Sequence, residues 1–347
     1  MTNKKKKDIR SYDLPRLTDY FSTIGAKPFH AKQLYNWLWV KGCSSFDAMT
    51  NLSTEVRQIL NKQFSIEKAI PYQTVSSKDG TIKVQFRFHD EVMAEGVLIP
   101  SGKRMTACIS SQAGCALGCK FCATGDLGFI RNLSNAEIID QVHHLNALAE
   151  KHYEHHLTNI VFMGMGEPLL NYDAVVEAVN IITDPSIIGM SPKRITISTV
   201  GITQAIEKLA DDLPTVKLAI SLHSADNDLR NYLIPVNKKY DLHQLTEALQ
   251  RYHRKTGNRI SIEYLLLNNI NDTRNDAELL TEWTKSFPVK INLIPYNPVP
   301  GKNFTTSSNI DDFKSRLENK NLVVNVRVSR GNDINAACGQ LINRNKK

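Results

Sequence analysis

Cys115-Ala116-Leu117-Gly118-Cys119-Lys120-Phe121-Cys122 sets three thiols at a C-x3-C-x2-C spacing, with Gly114 ahead of them and a short apolar run, 105–110, just upstream. Three thiolates this close together can wrap one face of an iron–sulfur cube. A [4Fe–4S] cluster normally takes four thiolates, so three leave one iron open to a small molecule. A structural zinc would need a fourth ligand nearby, and the next candidates, His143 and His144, fall on a stretch that reads as helix. Six cysteines in 347 residues, three of them crowded here, do not make a disulfide framework.

Outward from this loop the chain settles into a strand-then-helix rhythm. Strands are predicted at 105–110, 159–163, 194–199, 216–222, 260–267 and 289–294, with a further apolar strand at 322–328. Helices lie between them. Ser134 and Glu137 form a capping box, and other helices start near Tyr172, Ile202, Leu242, Asp276 and Ile310. Crossover helices return the chain to the same end of a parallel sheet, so the polar loops after the strands gather on one rim. The expected fold is α/β, a partial (β/α)6 barrel. Ahead of it, Asp13 with Pro15, the run 30–40 and Ser53 mark three short helices, and alternation at 81–88 and 92–99 marks a small antiparallel β extension. The expected boundaries are 1–70 for the helical accessory module, 71–103 for the extension, 104–330 for the barrel and 331–347 for a tail.

The hydrophobic share of 41% supplies cores for two or three domains and excludes disorder as the main state. No stretch reaches the ~18–20 consecutive apolar residues of a membrane span, and the lysine-rich start has no apolar segment behind it, so a cytoplasmic protein is expected. The 43 Lys and Arg against 35 Asp and Glu leave +8, which favours a polyanionic partner. Lys4 to Lys7, Arg344, Lys346 and Lys347 suit RNA phosphates, or are solvated tails. Tyr35, Trp37 and Trp39 offer stacking surfaces or feed a core. His152, His155 and His156 around Glu154 do not match H-E-x-x-H and read as a solvated helix end.

The cysteine spacing, in a loop after the first barrel strand, resembles the radical S-adenosylmethionine (SAM) superfamily. Gly164-Met165-Gly166-Glu167-Pro168, behind the second strand, is similar to that superfamily's GGEP segment, where backbone amides and a carboxylate can hold an ammonium group. Ser198, then Ser221-Leu222-His223, fall at the ends of the third and fourth strands. Asn297, in Ile294-Pro295-Tyr296-Asn297-Pro298, is placed to read an adenine or ribose edge. Each is a loop-stabilising polar residue or part of a ligand ring. The resemblance implies a [4Fe–4S] cluster on Cys115, Cys119 and Cys122 and SAM on the open iron.

Two further cysteines narrow the resemblance. Cys108-Ile109-Ser110-Ser111-Gln112-Ala113-Gly114-Cys115 and Asp333-Ile334-Asn335-Ala336-Ala337-Cys338-Gly339-Gln340-Leu341 closely resemble the adenine-C2 RNA methyltransferases that act on both ribosomal and transfer RNA. Pro28-Phe29-His30-Ala31-Lys32-Gln33-Leu34-Tyr35 and Glu95-Gly96-Val97-Leu98-Ile99-Pro100 also follow that family, except that Gly96 stands where many relatives have a β-branched residue. Carbon 2 of adenine is an electron-poor carbon without a lone pair, so in-line attack on a methyl sulfonium is closed to it. The resemblance implies a ping-pong route using two SAM per turnover. The first methylates Cys338; the second yields a 5′-deoxyadenosyl radical that takes hydrogen from the methylthioether. The carbon radical adds to the base; with loss of the ring proton, Cys108 attacks the sulfur of Cys338, which releases the RNA from the adduct and leaves a transient disulfide that external thiols must reduce. Glu95 is the implied acid/base residue; by itself it is one carboxylate on a strand.

The implied partners are 23S rRNA at the peptidyl-transferase centre, tRNA beside the anticodon, and an electron donor such as flavodoxin or ferredoxin, with the enzyme a monomer. The accessory module and extension would grip the RNA, with the target base out of its stack. The rival is the resistance-conferring relative that methylates carbon 8, which tends to carry Ala where this chain has Pro168. A non-catalytic iron–sulfur RNA-binding protein is the reading from another class, and it has no use for Cys108 or Cys338.

Overall fold

The computed structural model describes residues 6–342. Lys4, Lys5, Arg344, Lys346 and Lys347 lie outside the described residues. Three amphipathic helices come first: α1 (Leu14–Thr23), α2 (Phe29–Trp39) and α3 (Thr54–Gln63). Asp13 caps α1 by accepting from the Arg16 amide at 2.8 Å, and Ser53 caps α3 through Val56. Their apolar stripes meet through Leu17, Phe21, Leu34, Leu38 and Leu60, all fully buried. Trp39 is buried in this core, Tyr35 packs against it, and Trp37 reaches the surface and bonds Asn51.

One ten-stranded sheet follows, with every strand beside its neighbour in sequence. β1 (Ile70–Ser76), β2 (Ile82–Arg87), β3 (Met93–Ser101) and β4 (Arg104–Cys108) are antiparallel. From β4 onward, β5 (Asn159–Phe162), β6 (Ile195–Thr199), β7 (Lys217–Ser221), β8 (Ile260–Leu266), β9 (Val289–Pro295) and β10 (Val324–Val326) are parallel. The crossovers are α4 (Asn135–Tyr153), α5 (Tyr172–Thr183), α6 (Thr203–Asp212), α7 (Leu242–Thr256), α8 (Arg274–Trp283) and α9 (Ile310–Glu318). Six β/α units and a closing seventh strand make the expected partial barrel; β1 and β10 stay at opposite ends of the sheet.

Local chemistry explains the departures. α8 starts two residues earlier than Asp276 because Thr273 is the N-cap and Asp276 is its capping-box partner. β1 escaped the sequence reading because it does not alternate: it is an exposed edge strand that contains Pro71, a residue tolerated only at such an edge. Gly96 keeps a regular ladder opposite Val84; a Cβ there would come within 3.0 Å of the Phe86 ring. α4 ends at Tyr153 with Glu154 left-handed, and His152, His155 and His156 are exposed, as a solvated helix end should be.

One buried ion pair ties the leading helices to the barrel. Arg10 gives both oxygens of Asp140, on α4, a bond of 2.9 Å, and Asp140 also accepts from Lys68 and from the Ala69 amide. No described helix is long and apolar enough to cross a membrane.

Candidate active site

The turn after β4 is built around Gly114. Its φ is +73°, and a Cβ there would sit 1.9 Å from the Gly128 carbonyl, so only glycine brings the two arms of the cysteine loop together. The Cys115 amide donates to that same carbonyl at 2.9 Å, and Cys122 N–H closes on the Cys119 carbonyl at 3.1 Å. Lys120 is pinned by its amide to the Leu233 carbonyl on the far side of the loop.

Cys115, Cys119 and Cys122 line one cleft with a cavity of about 170 Å³. Gly164, Gly166, Glu167, Ser198, Ser221 and His223 line it too. The turn after β5 presses against the loop after β4: a Cβ on Gly166 would lie 2.4 Å from that of Gln112. Glu167 clamps this turn to the end of β6, accepting from Leu169 N at 3.0 Å and Val200 N at 2.9 Å. Burial outweighs those bonds and lifts its carboxyl to about 7. His223 has a φ of +58°, and its Nδ1 accepts from the Leu265 amide at 3.0 Å, which leaves the proton of the neutral ring on Nε2. Burial, aided by Arg230, holds that ring neutral with a pKa of about 3.

Two residues of the expected SAM ring lie elsewhere. Leu222 sits under the rim with its side chain buried, its amide given to Glu263 O and its carbonyl taken by Arg230. Asn297 is buried behind the tail, where its Nδ2 donates to the Cys338 carbonyl at 3.3 Å. Neither side chain lines the cleft. Ser198 and Ser221 do, with their hydroxyls 3.4 Å apart.

Cys338 is exposed at the cleft wall. Its tail is strapped down on both sides: Ala123 N donates to Gly339 O, Gln340 Nε2 to Pro298 O, Thr124 Oγ1 to Leu341 O, and Ser77 Oγ to Asp333. Cys108, at the end of β4, is buried, and burial together with the charge of Cys338 pushes its thiol up to about 12. Glu95 does not face the cleft. It lines a second cavity on the other side of the tail, with Lys83 at 3.5 Å and the Ile342 amide on Oε2 at 3.0 Å. Burial raises its carboxyl above the ordinary range against the pull of Lys83.

Two arginines were not singled out by the sequence. Arg327, just beyond β10, lines the cleft, and its Nη1 bonds Glu263 Oε2 at 3.0 Å and lies 3.5 Å from Met163 Sδ. Against the cost of burial, the charges of Cys338, Glu263 and Cys108 hold this guanidinium protonated above its usual range. Arg230 is fully buried and fans onto the carbonyls of Val200, Ser221 and Leu222 and the side chain of Asn237, with no ion pair among the described residues. Burial lowers its pKa to about 10, and Cys119 is the group that opposes the fall. The signal that could have found them is their place just past β10 and just past the Ser221–His223 turn.

The donor set fits a cluster. Burial raises all three thiols, most at Cys119, so they become thiolates only against a cation. No trio of His, Cys, Asp or Glu among the described residues converges to hold a single metal ion. A thiolate-bound cluster would also answer the lone charge of Arg230.

Comparison with known proteins agrees with this geometry. The radical SAM superfamily model matches residues 109–280, and that of the ribosomal RNA large subunit methyltransferase N-terminal domain matches 7–66. A probable dual-specificity RNA methyltransferase RlmN of Christiangramia forsetii is 48% identical over 98% of this chain and 97% of its own. The chain belongs to the RlmN family of radical SAM RNA methyltransferases. A second RlmN relative, from Cytophaga hutchinsonii, is 47% identical over 98% of this chain and 94% of its own. The crystal structure of a radical SAM methyltransferase from Sphaerobacter thermophilus superposes with a TM-score of 0.91 at 38% identity, covering 96% of this chain and 99% of that one. Membership implies an RNA substrate, a [4Fe–4S] cluster and SAM.

Proposed function

We propose that this RlmN-family enzyme methylates carbon 2 of adenosine in 23S rRNA at the peptidyl-transferase centre and in tRNA beside the anticodon, with Cys338 as the methyl carrier. The observation that supports it most is the meeting of Cys338 with the cleft of Cys115, Cys119 and Cys122, with Cys108 buried within electrostatic reach behind it.

Cys115, Cys119 and Cys122 would hold the cluster, and the turn 164–167 with Ser198, Ser221 and His223 would hold SAM against its open iron. When bound, these groups supply a methyl group and, after one-electron reduction, a 5′-deoxyadenosyl radical. Two SAM per turnover, a flavodoxin or ferredoxin as donor, a monomeric enzyme and a cytoplasmic location complete the reading.

The chain's own residues do the rest. Cys338 is exposed and free to take the methyl group, and the strap around it sets where the resulting thioether stands. Cys108 stays protonated by burial in the ligand-free protein. Resolution needs its thiolate, and Arg327, held by Glu263, supplies a positive charge beside both sulfurs. Glu95, raised by burial, would carry a proton from the second cavity, on the other side of the tail from the cleft.

The test is nucleoside mass spectrometry of protein-free 23S rRNA from cells lacking the modification, after anaerobic incubation with reconstituted enzyme, SAM and a reductant. 2-Methyladenosine is the expected product. 8-Methyladenosine would move the chain to the resistance-type relatives, and SAM cleavage without any methylated adenosine would contradict the rRNA assignment.

A further inference from the structure

The ribbon β1–β3 has two unlike faces. On one, Ile82, Val84, Phe86, Ala94 and Leu98 are buried, and the Phe86 ring stands edge-on to His144 of α4 at 5.6 Å. The register sets Gln85 between Gln73 and Glu95, and Lys83 between Val75 and Val97, so these residues share the opposite face. Gln73, Lys83, Gln85 and Glu95 all line the second cavity there, beside the strap that carries Cys338.

At the outer end of this face the ladder slips between Pro71 and Gln73, and the extra residue is Tyr72. A bulge re-aims a side chain. Here it brings the Tyr72 ring to the Arg87 guanidinium, 5.4 Å from centroid to guanidinium carbon, while the ring stays 57% exposed. Arg87 is otherwise held by Glu91 at 3.4 Å, an exposed pair worth little and easily exchanged for a phosphate. An open aromatic ring backed by a cation, one residue from a cavity lined by the carboxamides of Gln73, Gln85, Asn335 and Gln340, has the chemistry that receives an unstacked nucleobase: the ring takes the base and the arginine its phosphate. The net charge of +8 suits the same polyanion.

We propose that the exposed outer end of the β1–β3 ribbon is a nucleotide platform on which Tyr72 stacks a base neighbouring the target adenosine and Arg87 binds its phosphate. This rests on the RNA methyltransferase assignment and says where the single strand runs: from Tyr72, along the exposed edge at Gln73, to the strap.

Full-length reconstituted enzyme is titrated against a fluorescein-labelled RNA hairpin with an unpaired loop adenosine, followed by anisotropy. Tyr72→Ala is expected to weaken binding roughly 5- to 150-fold, the equivalent of about 1–3 kcal/mol of base–aromatic stacking. Tyr72→Trp retains affinity, and Arg87→Met lowers the salt slope by about one. RNA-independent SAM cleavage stays unchanged in all three, which certifies their fold. A 4-thiouridine next to the target should crosslink to the peptide 70–76. Wild-type affinity in Tyr72→Ala, or crosslinks found only elsewhere, overturns the platform. A wild-type enzyme that binds no such RNA overturns the platform and the RNA assignment together, and is told apart by that.

Discussion

Asn297 Nδ2 donates to the main-chain carbonyl of Cys338 across 3.3 Å, from the loop after β9 to the C-terminal tail. An amide expected to read SAM thus holds the carbonyl of the candidate methyl carrier. Asn297→Ala should loosen the strap by about 0.5–1.5 kcal/mol. Amide hydrogen exchange of 331–342 should speed up while SAM affinity stays near wild type. Lost SAM affinity with unchanged tail exchange would return Asn297 to the ligand ring.

Glu167 gives a pH signature. Its carboxyl titrates near 7 in the folded chain and near ~4.3 when unfolded, so the folded state keeps a proton that the unfolded state releases. Stability of the ligand-free protein should therefore be highest below about pH 4.5 as far as this group is concerned, and fall as the pH rises through about 7. Thermal denaturation from pH 5 to 8 should show a shallower slope in Glu167→Gln than in wild type; equal slopes would mean that the carboxyl is not buried as described.

Arg230 is the buried charge with most to lose. Arg230→Met leaves the carbonyls of Val200, Ser221 and Leu222 without their donor. Each lost partner costs about 1–3 kcal/mol, so urea unfolding should show a loss of more than ~2 kcal/mol. A variant as stable as wild type would show that this fan of bonds does not organise the rim.

Much of this was readable from the sequence, and the limits are physical. The barrel strands announced themselves as apolar runs between capped helices, and C-x3-C-x2-C located the cleft because ligand spacing in a loop is a local property. β1 did not, since an exposed edge strand has no face to alternate. Arg327 and Arg230 carry only a weak signal, their place just past strand ends, because little else local distinguishes a cleft arginine from a surface one; only the folded sheet brings Arg327 to Cys338. Leu222 and Asn297 fall in turns that follow barrel strands, but which way each faces is decided by Arg230 and by the tail.

Arg327 should matter at resolution more than at methyl loading. Cys108 is held protonated, with a pKa pushed up to about 12, and Arg327 is the cation that opposes this. In Arg327→Met, Cys338 methylation should proceed while RNA-linked protein accumulates on denaturing gels, as it should to a greater extent in Cys108→Ala. Alkylation of Cys108 by iodoacetamide should need a higher pH in Arg327→Met. An unchanged alkylation profile and no trapped RNA would remove Arg327 from the chemistry.

The most direct measurement is an isotope chase through Cys338. Enzyme is loaded with carbon-13-methyl SAM, freed of it, and given unlabelled SAM, reductant and RNA for one turnover. The account predicts labelled Cys338 in the tail peptide before the chase and the carbon-13 in the methyladenosine product after it. A product carrying only unlabelled carbon, with the label still on the protein or never on Cys338, would contradict Cys338 as the methyl carrier.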